Sequence, residues 1–330
     1  MKPAFPAALA LLAAGLTAAA AADPLALDET LRREFAAPPG GRLELDTDTG
    51  PVRVLGTNAP VVVIEVTRRA RVSGERGDRL VREHEVTFSE EGGVIRMQAR
   101  RPAGARLRWG RSDLHVEVRA WVPERFNVSA HTAGGEVAVR GVEGDLKAST
   151  SGGPVELEAV GGTVSGRTSG GSIHGRELRG EVVLDTSGGG ISVRQFTGSR
   201  LEVRTSGGSI SLRDITGAVN ARTSGGGIEI EAAAGPVEAR SSGGSVRGSL
   251  REAPAGPVSL STSGGGVTLE LPAGAGFELD AGTSAGGVTS DFPVKLAGGA
   301  GSRSASGPVN GGGPRVTLKS SGGSIHPRQR

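Results

Sequence analysis

TSGGSISLRDITG, residues 205–217, is followed eighteen residues on by TSGGGIEIEAAAG, residues 223–235, and preceded nineteen residues back by TSGGGISVRQFTG, residues 186–198. The first glycine of this turn recurs at Gly134, Gly152, Gly170, Gly188, Gly207, Gly225, Gly243 and Gly264, in steps of 18, 18, 18, 19, 18, 18 and 21. A weaker copy lies at 283–288, a degenerate coil at 306–309 and a clean copy at 320–325. Apolar residues alternate on both sides of the turn, the pattern of half-buried strands: Val182/Leu184 and Leu201/Val203 before it, Ile191/Val193 and Ile210/Leu212 after it. A further apolar column, Val142, Val160, Leu178, Phe196, Ile215 and Ala233, takes the same one-residue insertion as the glycines. Two columns that keep step through an insertion mark stacked coils.

One such repeat cannot bury a core alone, but stacked repeats bury a continuous narrow one. The expected fold is all-β: a single-stranded β-helix, or β-solenoid, of about ten coils of ~18 residues with an N-terminal β-rich cap. Strand twist favours right-handed winding. The left-handed hexapeptide helix needs an apolar residue every sixth position, which the uneven spacing here lacks. A propeller blade needs about 40 residues. The turn glycines (Gly152, Gly153, Gly170, Gly171, Gly188, Gly189, Gly207, Gly208, Gly225, Gly226, Gly243, Gly244, Gly264, Gly265, Gly322 and Gly323) are expected to be structural. They serve either positive φ or close approach of neighbouring coils.

Composition narrows the function. The 330 residues include 56 glycines and no cysteine, so disulfides, thiolate metal sites and cysteine nucleophiles are excluded. A formal net charge of +3 gives no reason to expect nucleic acid as a partner. Residues 1–22 read as a secretory signal peptide: Lys2, an apolar run over 7–16 and small residues at 20–22 before Asp23. No later run reaches membrane-spanning length. The expected product is exported, periplasmic or at the cell surface. Residues 23–130 form the β-rich cap and first irregular coils, with a short helix over 24–35, and 131–330 form the solenoid.

The cap region holds the densest basic run: Arg68, Arg69 and Arg71, then Arg100, Arg101, Arg106, Arg108 and Arg111 around Trp109. Such a patch can hold phosphates, acidic glycans or lipid headgroups, and these residues are the candidate anion- or polymer-binding site. Arg204, Arg222 and Arg240 recur at one strand position, with Glu202 and Glu238 two residues before two of them. That column reads as a solvated, partly salt-bridged face.

With the repeats in hand, the chain resembles the bacterial putative-adhesin family of β-strand-repeat proteins, a domain of unknown function. GGRLELDTDTGPVRVLG (40–56), LHVEVRAWVPERFNVSAHTAGGEV (114–137) and the tandem TSGGxI turns carry the resemblance, which extends over residues 40–330. It implies an envelope or adhesive role and brings no catalytic residues with it.

No chemistry stands out. The five histidines are scattered, with only His115 and His131 able to approach across a strand pair, so no metal or cofactor is expected. The serines belong to turns, where a hydroxyl caps the backbone. Glu156/Glu158 and Glu229/Glu231 are the best acidic pairs for a polysaccharide-acting enzyme, but they lie four coils apart. The expected function is therefore non-enzymatic: an exported envelope protein, adhesive or surface-presenting, whose partner is an envelope polymer, glycan or envelope protein. The alternatives are an accessory or scaffold role in envelope stress signalling and a β-helix enzyme acting on polysaccharide.

Overall fold

The computed structural model describes residues 28–101, 113–296 and 302–330. Over these residues the chain is a β-solenoid. Twenty-five strands join in one hydrogen-bonded sheet system, and one helix, Glu75–Glu83, sits at the N-terminal end. No helix among the described residues is long and apolar enough to cross a membrane. The signal-peptide expectation falls on residues outside the described ones.

Each coil enters the Thr-Ser-Gly-Gly turn on one strand and leaves it on another. Entering strands stack in parallel, so Val164 pairs with Val182, Val182 with Leu201, Leu201 with Val219 and Val219 with Val237. Leaving strands do the same through Ile173, Ile191, Ile210 and Ile228. The third column, Leu178 to Phe196 to Ile215 to Ala233, is also in register and buried. Because strand residues alternate faces, these three columns fill the interior and charged residues face out. The extra residue of the nineteen-residue step is absorbed as a register shift beside Gly198 that leaves all three columns intact.

The turn glycines owe their identity to the second of the two expected causes. None of the paired turn glycines lies in the left-handed region. A Cβ on Gly189 would sit 2.1 Å from the carbonyl oxygen of Gly171, and one on Gly171 would sit 1.9 Å from that of Gly153. Coil lies directly on coil there, with no room for a side chain. Positive φ occurs at the opposite corner, on the ordinary residues Ala159 (52°), Glu177 (55°), Gln195 (62°), Asp214 (57°) and Ala232 (53°) as well as on glycines such as Gly162, Gly180 and Gly235. Three residues after each of the ordinary ones lies a close-approach glycine, such as Gly217 at φ 127° with 2.0 Å from a built Cβ to Gly198 O.

A buried hydroxyl ties each turn to the next. Thr150 Oγ1 donates to Gly135 O at 2.8 Å, Thr168 to Gly153 O at 2.8 Å and Thr205 to Gly189 O at 2.7 Å. The same oxygen accepts from the amide three residues on, as Thr168 does from Gly171 N at 3.2 Å. Serine takes the place at Ser241 and Ser320 with the same donation, 2.8 Å in both.

The order of coils in space departs from their order in sequence at both ends. Strands Arg42–Thr47 and Val52–Thr57 form a coil that stacks in parallel on Asn127–Thr132 and Val137–Arg140. Outside it lies a coil made later in the chain, Val94–Arg100 and Leu114–Pro123. The expected boundary at 130/131 therefore falls inside a strand of a continuous stack. At the other end, Arg315–Ser320 is inserted between Val258–Thr262 and Phe277–Thr283. The hydroxyl ladder records the same order: Ser320 donates to Gly265 O, and Thr283 to Gly323 O.

Antiparallel strands close both ends. Val61–Ala70 and Asp28–Ala36 cover the Leu114–Pro123 edge, Glu85–Glu91 covers Val94–Arg100, and Ser304–Val309 covers Phe277–Thr283. Two expectations are corrected here. The described part of the expected N-terminal helix is the strand Asp28–Ala36, held by nine paired positions on Val61–Ala70. Residues 306–309 belong to an antiparallel end strand and not to a degenerate coil, because Gly307 and Pro308 run against Leu279 and Glu278.

Glycines at the two positions of the turn, one taken from each of two coils, should respond differently to the same methyl group. Gly189→Ala is expected to lower stability by about 2–4 kcal/mol, because backbone must move. Gly152→Ala, where a Cβ meets nothing within 4 Å, should stay within about 0.5 kcal/mol of the parent. Urea unfolding of the two variants measures the difference.

Candidate functional site

The N-terminal arginines are largely consumed by the fold. Arg68 is 7% exposed and binds inward: to Val81 O at 2.8 Å, to His84 O and to Glu29 Oε2 at 2.6 Å. It pins the helix and the end strand together and is withdrawn from any ligand. Arg69 grips Asp28 at 2.8 and 2.9 Å, Arg100 pairs with Asp46, and Arg101 Nε donates to Asp48 Oδ2 at 2.8 Å. Arg71 is exposed beside them. Arg106, Arg108, Trp109 and Arg111 lie outside the described residues. Among the described members, Arg68, Arg69, Arg100 and Arg101 each pair with a carboxylate, whereas Arg71 is exposed without one.

Asp48 sits at the centre of this end, between Arg101 and the fully buried His84, whose Nε2 lies 3.3 Å from Asp48 Oδ1. Burial alone would raise its pKa; hydrogen bonds from His84 and Arg101 outweigh it and hold the carboxyl well below the usual range. A depressed folded-state pKa gives stability that is present above the unfolded value, about 3.9, and is lost as pH falls through the folded one.

A large concave surface lies elsewhere, along the strands that enter the turns. A groove of about 1150 Å³ runs from Asp185 to Lys319. Its floor is an in-register row, Asp185, Arg204, Arg222, Arg240, Ser261 and Lys319, one residue per coil. Its wall is the exposed serine of each turn, among them Ser206, Ser224, Ser242 and Ser263. Arg303 joins from the bend just before the end strand Ser304–Val309. Parallel register places these groups about 4.8 Å apart along the stack.

Charge in the groove is only partly balanced. Buried Glu202 bridges Arg200 and Arg204. Glu238 Oε1 is shared by Arg222 (3.1 Å) and Arg240 (2.8 Å), and Lys319 meets Asp280 at 2.5 Å. Arg303 has no ion-pair partner among the described residues. Five cations and one carboxylate line the groove itself. The arrangement can hold successive anionic groups, with guanidinium forks and serine hydroxyls as donors. The arginine column was visible in the sequence and read as a solvated face. Lys319 and Arg303 join it only through the spatial order of the last coils.

Other candidates separate. His115 pairs across to Arg69, whereas His131 lies between Asp46 and Ser149, so the two histidines are not brought together. No cluster of three His, Cys, Asp or Glu able to hold a metal occurs among the described residues. Glu158 is bound to Arg140 and Glu231 to Arg213 at 2.6 Å, which ties up one member of each acidic pair.

The family model described as Toastrack DUF4097 matches residues 127–326. No curated protein matches the chain. Similar solved structures include a "putative adhesin" from Bacteroides fragilis, 11% identical with TM-score 0.35, covering 92% of this chain and 97% of that one. A "putative cell adhesion protein" from Clostridium sporogenes is 11% identical with TM-score 0.23, covering 92% and 100%. A "putative lipid binding protein" from Parabacteroides distasonis is 11% identical with TM-score 0.30, covering 90% and 96%.

Replacing Asp48 tests the electrostatics of the N-terminal end. Asp48→Asn should be less stable than the parent at neutral pH, and the gap should narrow as pH falls below about 4, where the unfolded parent takes up a proton that the folded carboxylate still refuses. Urea unfolding at pH about 7, 4 and 3 follows it.

Proposed function

The chain belongs to the Toastrack DUF4097 family, and from that premise we propose that it is a non-enzymatic, exported envelope protein that binds a linear anionic polymer along its coil face. The observation that carries this reading is the groove: a row of guanidinium and ammonium groups at one-coil spacing, walled by exposed serines and undercompensated in charge. A rigid rod with binding groups at a fixed interval suits a partner that is itself a repeating chain. Such binding is electrostatic, so it weakens with salt. Export is supported by residues 1–22, whose pattern is that of a cleaved leader. Nothing about catalysis is required, because the groove offers donors and charge and no paired free carboxylates.

Retention of the mature chain, Asp23 onward, on immobilised polyphosphate and polygalacturonate at low and physiological salt tests the proposal. Retention should be strong at low salt and fall as salt rises. Arg222→Ser with Arg303→Ser should weaken binding about tenfold. Folding should survive the change, because Glu238 keeps Arg240. Arg106→Ser, Arg108→Ser and Arg111→Ser together should leave retention nearly unchanged. Loss of binding only in that second variant would move the site to the N-terminal arginines. No retention on either polymer would favour an accessory role through a protein partner.

A further inference from the structure

A second concavity lies on the strands that leave the turns, near the N-terminal end, and differs in chemistry from the anionic-polymer groove. Register places Val63, Trp121 and Leu55 side by side on three adjacent strands. These are outward positions, yet all three are apolar. Leu55 is 40% exposed and is the exposed large hydrophobic among the described residues. Trp121 is half-buried beside it. The next residue in the row is Arg140, ion-paired to Glu158 on the following coil. Two positions earlier, Ala138 follows Arg53, and its small side chain opens a hollow of about 340 Å³.

The rim of the hollow is held rigidly. Arg53 spans two strands, with Nη1 at 2.6 Å from Glu117 and Nη2 at 2.9 Å from Glu136. Arg119 shares Glu117 at 2.9 Å. The lining contains three arginines and three glutamates, so its formal charge is zero. Such a rim repels no neutral molecule and attracts no net charge, but it presents both strong donors and strong acceptors. A hydroxyl group is both donor and acceptor, and a ring carrying several hydroxyls has an apolar C–H face. An indole face with an aliphatic neighbour complements that face.

We infer that this hollow binds one ring of a neutral oligosaccharide, with its C–H face on Trp121 and Leu55 and its hydroxyls between the Arg53–Glu136 and Arg140–Glu158 pairs. The site is independent of the groove: it uses the other strand of each coil, a balanced rim and an aromatic floor.

The test uses the full mature chain carrying Trp109→Phe, which leaves Trp121 as the single tryptophan, since the sequence has two. Maltohexaose, cellohexaose and chitohexaose are titrated against its emission, with calorimetry for affinity. At least one should give a saturable change that is the same at low salt and at about 0.5 M NaCl. Trp121→Ala should weaken it about tenfold and Trp121→Phe by less. Leu55→Ser, at an exposed position, should also weaken it and guards against a folding defect in Trp121→Ala. Arg222→Ser with Arg303→Ser should leave it unchanged, so failure of the groove and failure of the hollow are distinguishable. No saturable change with any of the three sugars overturns the inference. So does a response to monomeric lysophosphatidylcholine in place of sugar, which would mark the hollow as an apolar-chain site.

Discussion

Backbone lying directly on backbone at the Thr-Ser-Gly-Gly turn is the constraint on which the rest of the molecule depends. Gly189 approaches the carbonyl of Gly171 so closely that hydrogen is the largest substituent its Cα can carry toward that neighbour. Peptide groups pressed together must also be hydrogen-bonded, because an unsatisfied buried polar group costs about 1–3 kcal/mol. The buried threonine solves this for both neighbours, donating to the coil before it and accepting from the amide of its own turn. Serine does the hydrogen bonding without the methyl, which explains why Ser241 and Ser320 fit the same ladder. The exposed serine beside it is free of this duty and becomes the wall of the groove.

The same regularity that builds the rod creates an electrostatic problem. Parallel in-register stacking puts Arg204, Arg222 and Arg240 in one row with no freedom to stagger. Like charges at strand spacing repel, and the fold answers by sharing carboxylates: Glu202 serves two arginines and Glu238 two more. One carboxylate for two guanidiniums relieves the repulsion but leaves net positive charge at the surface. Around the Trp121 hollow three lining arginines meet three lining glutamates, and Glu117 beside them binds Arg53 and Arg119 as well. The two concavities of one scaffold therefore differ in what they select, although both arise from the same coil geometry.

The ends follow a different logic from the middle. A solenoid that stopped after a regular coil would expose a full row of unpaired amides and carbonyls. Here each end carries antiparallel strands, and each end coil is pinned by a segment distant in sequence. Arg68 and His84 are buried, and Asp48 half-buried, in that closure at the N-terminal end. Arg68, which in sequence belongs to the basic run, holds the closing strand and helix together there.

The sequence by itself determined the coil. Its period, its three apolar columns, its turn glycines and the coil in which an extra residue is accommodated are all local in character, because a parallel in-register stack places residue i over residue i + 18 and so writes its contacts directly into the spacing. The pairing of Glu202 with Arg204 and of Glu238 with Arg240 was also within reach, since each pair lies two residues apart on one face. Only the tertiary structure decided the rest. The order of the end coils comes from pairings such as Leu43 with Ile95 and Leu260 with Leu318, which have no fixed spacing to betray them. The conversion of residues 28–36 into an edge strand depends on the partner at 61–70, not on local preference. Arg303 enters the groove, and Trp121 meets Leu55, through stacking across long separations. Periodic contacts are legible in sequence because the fold repeats them; those made once, at the ends, had to be seen.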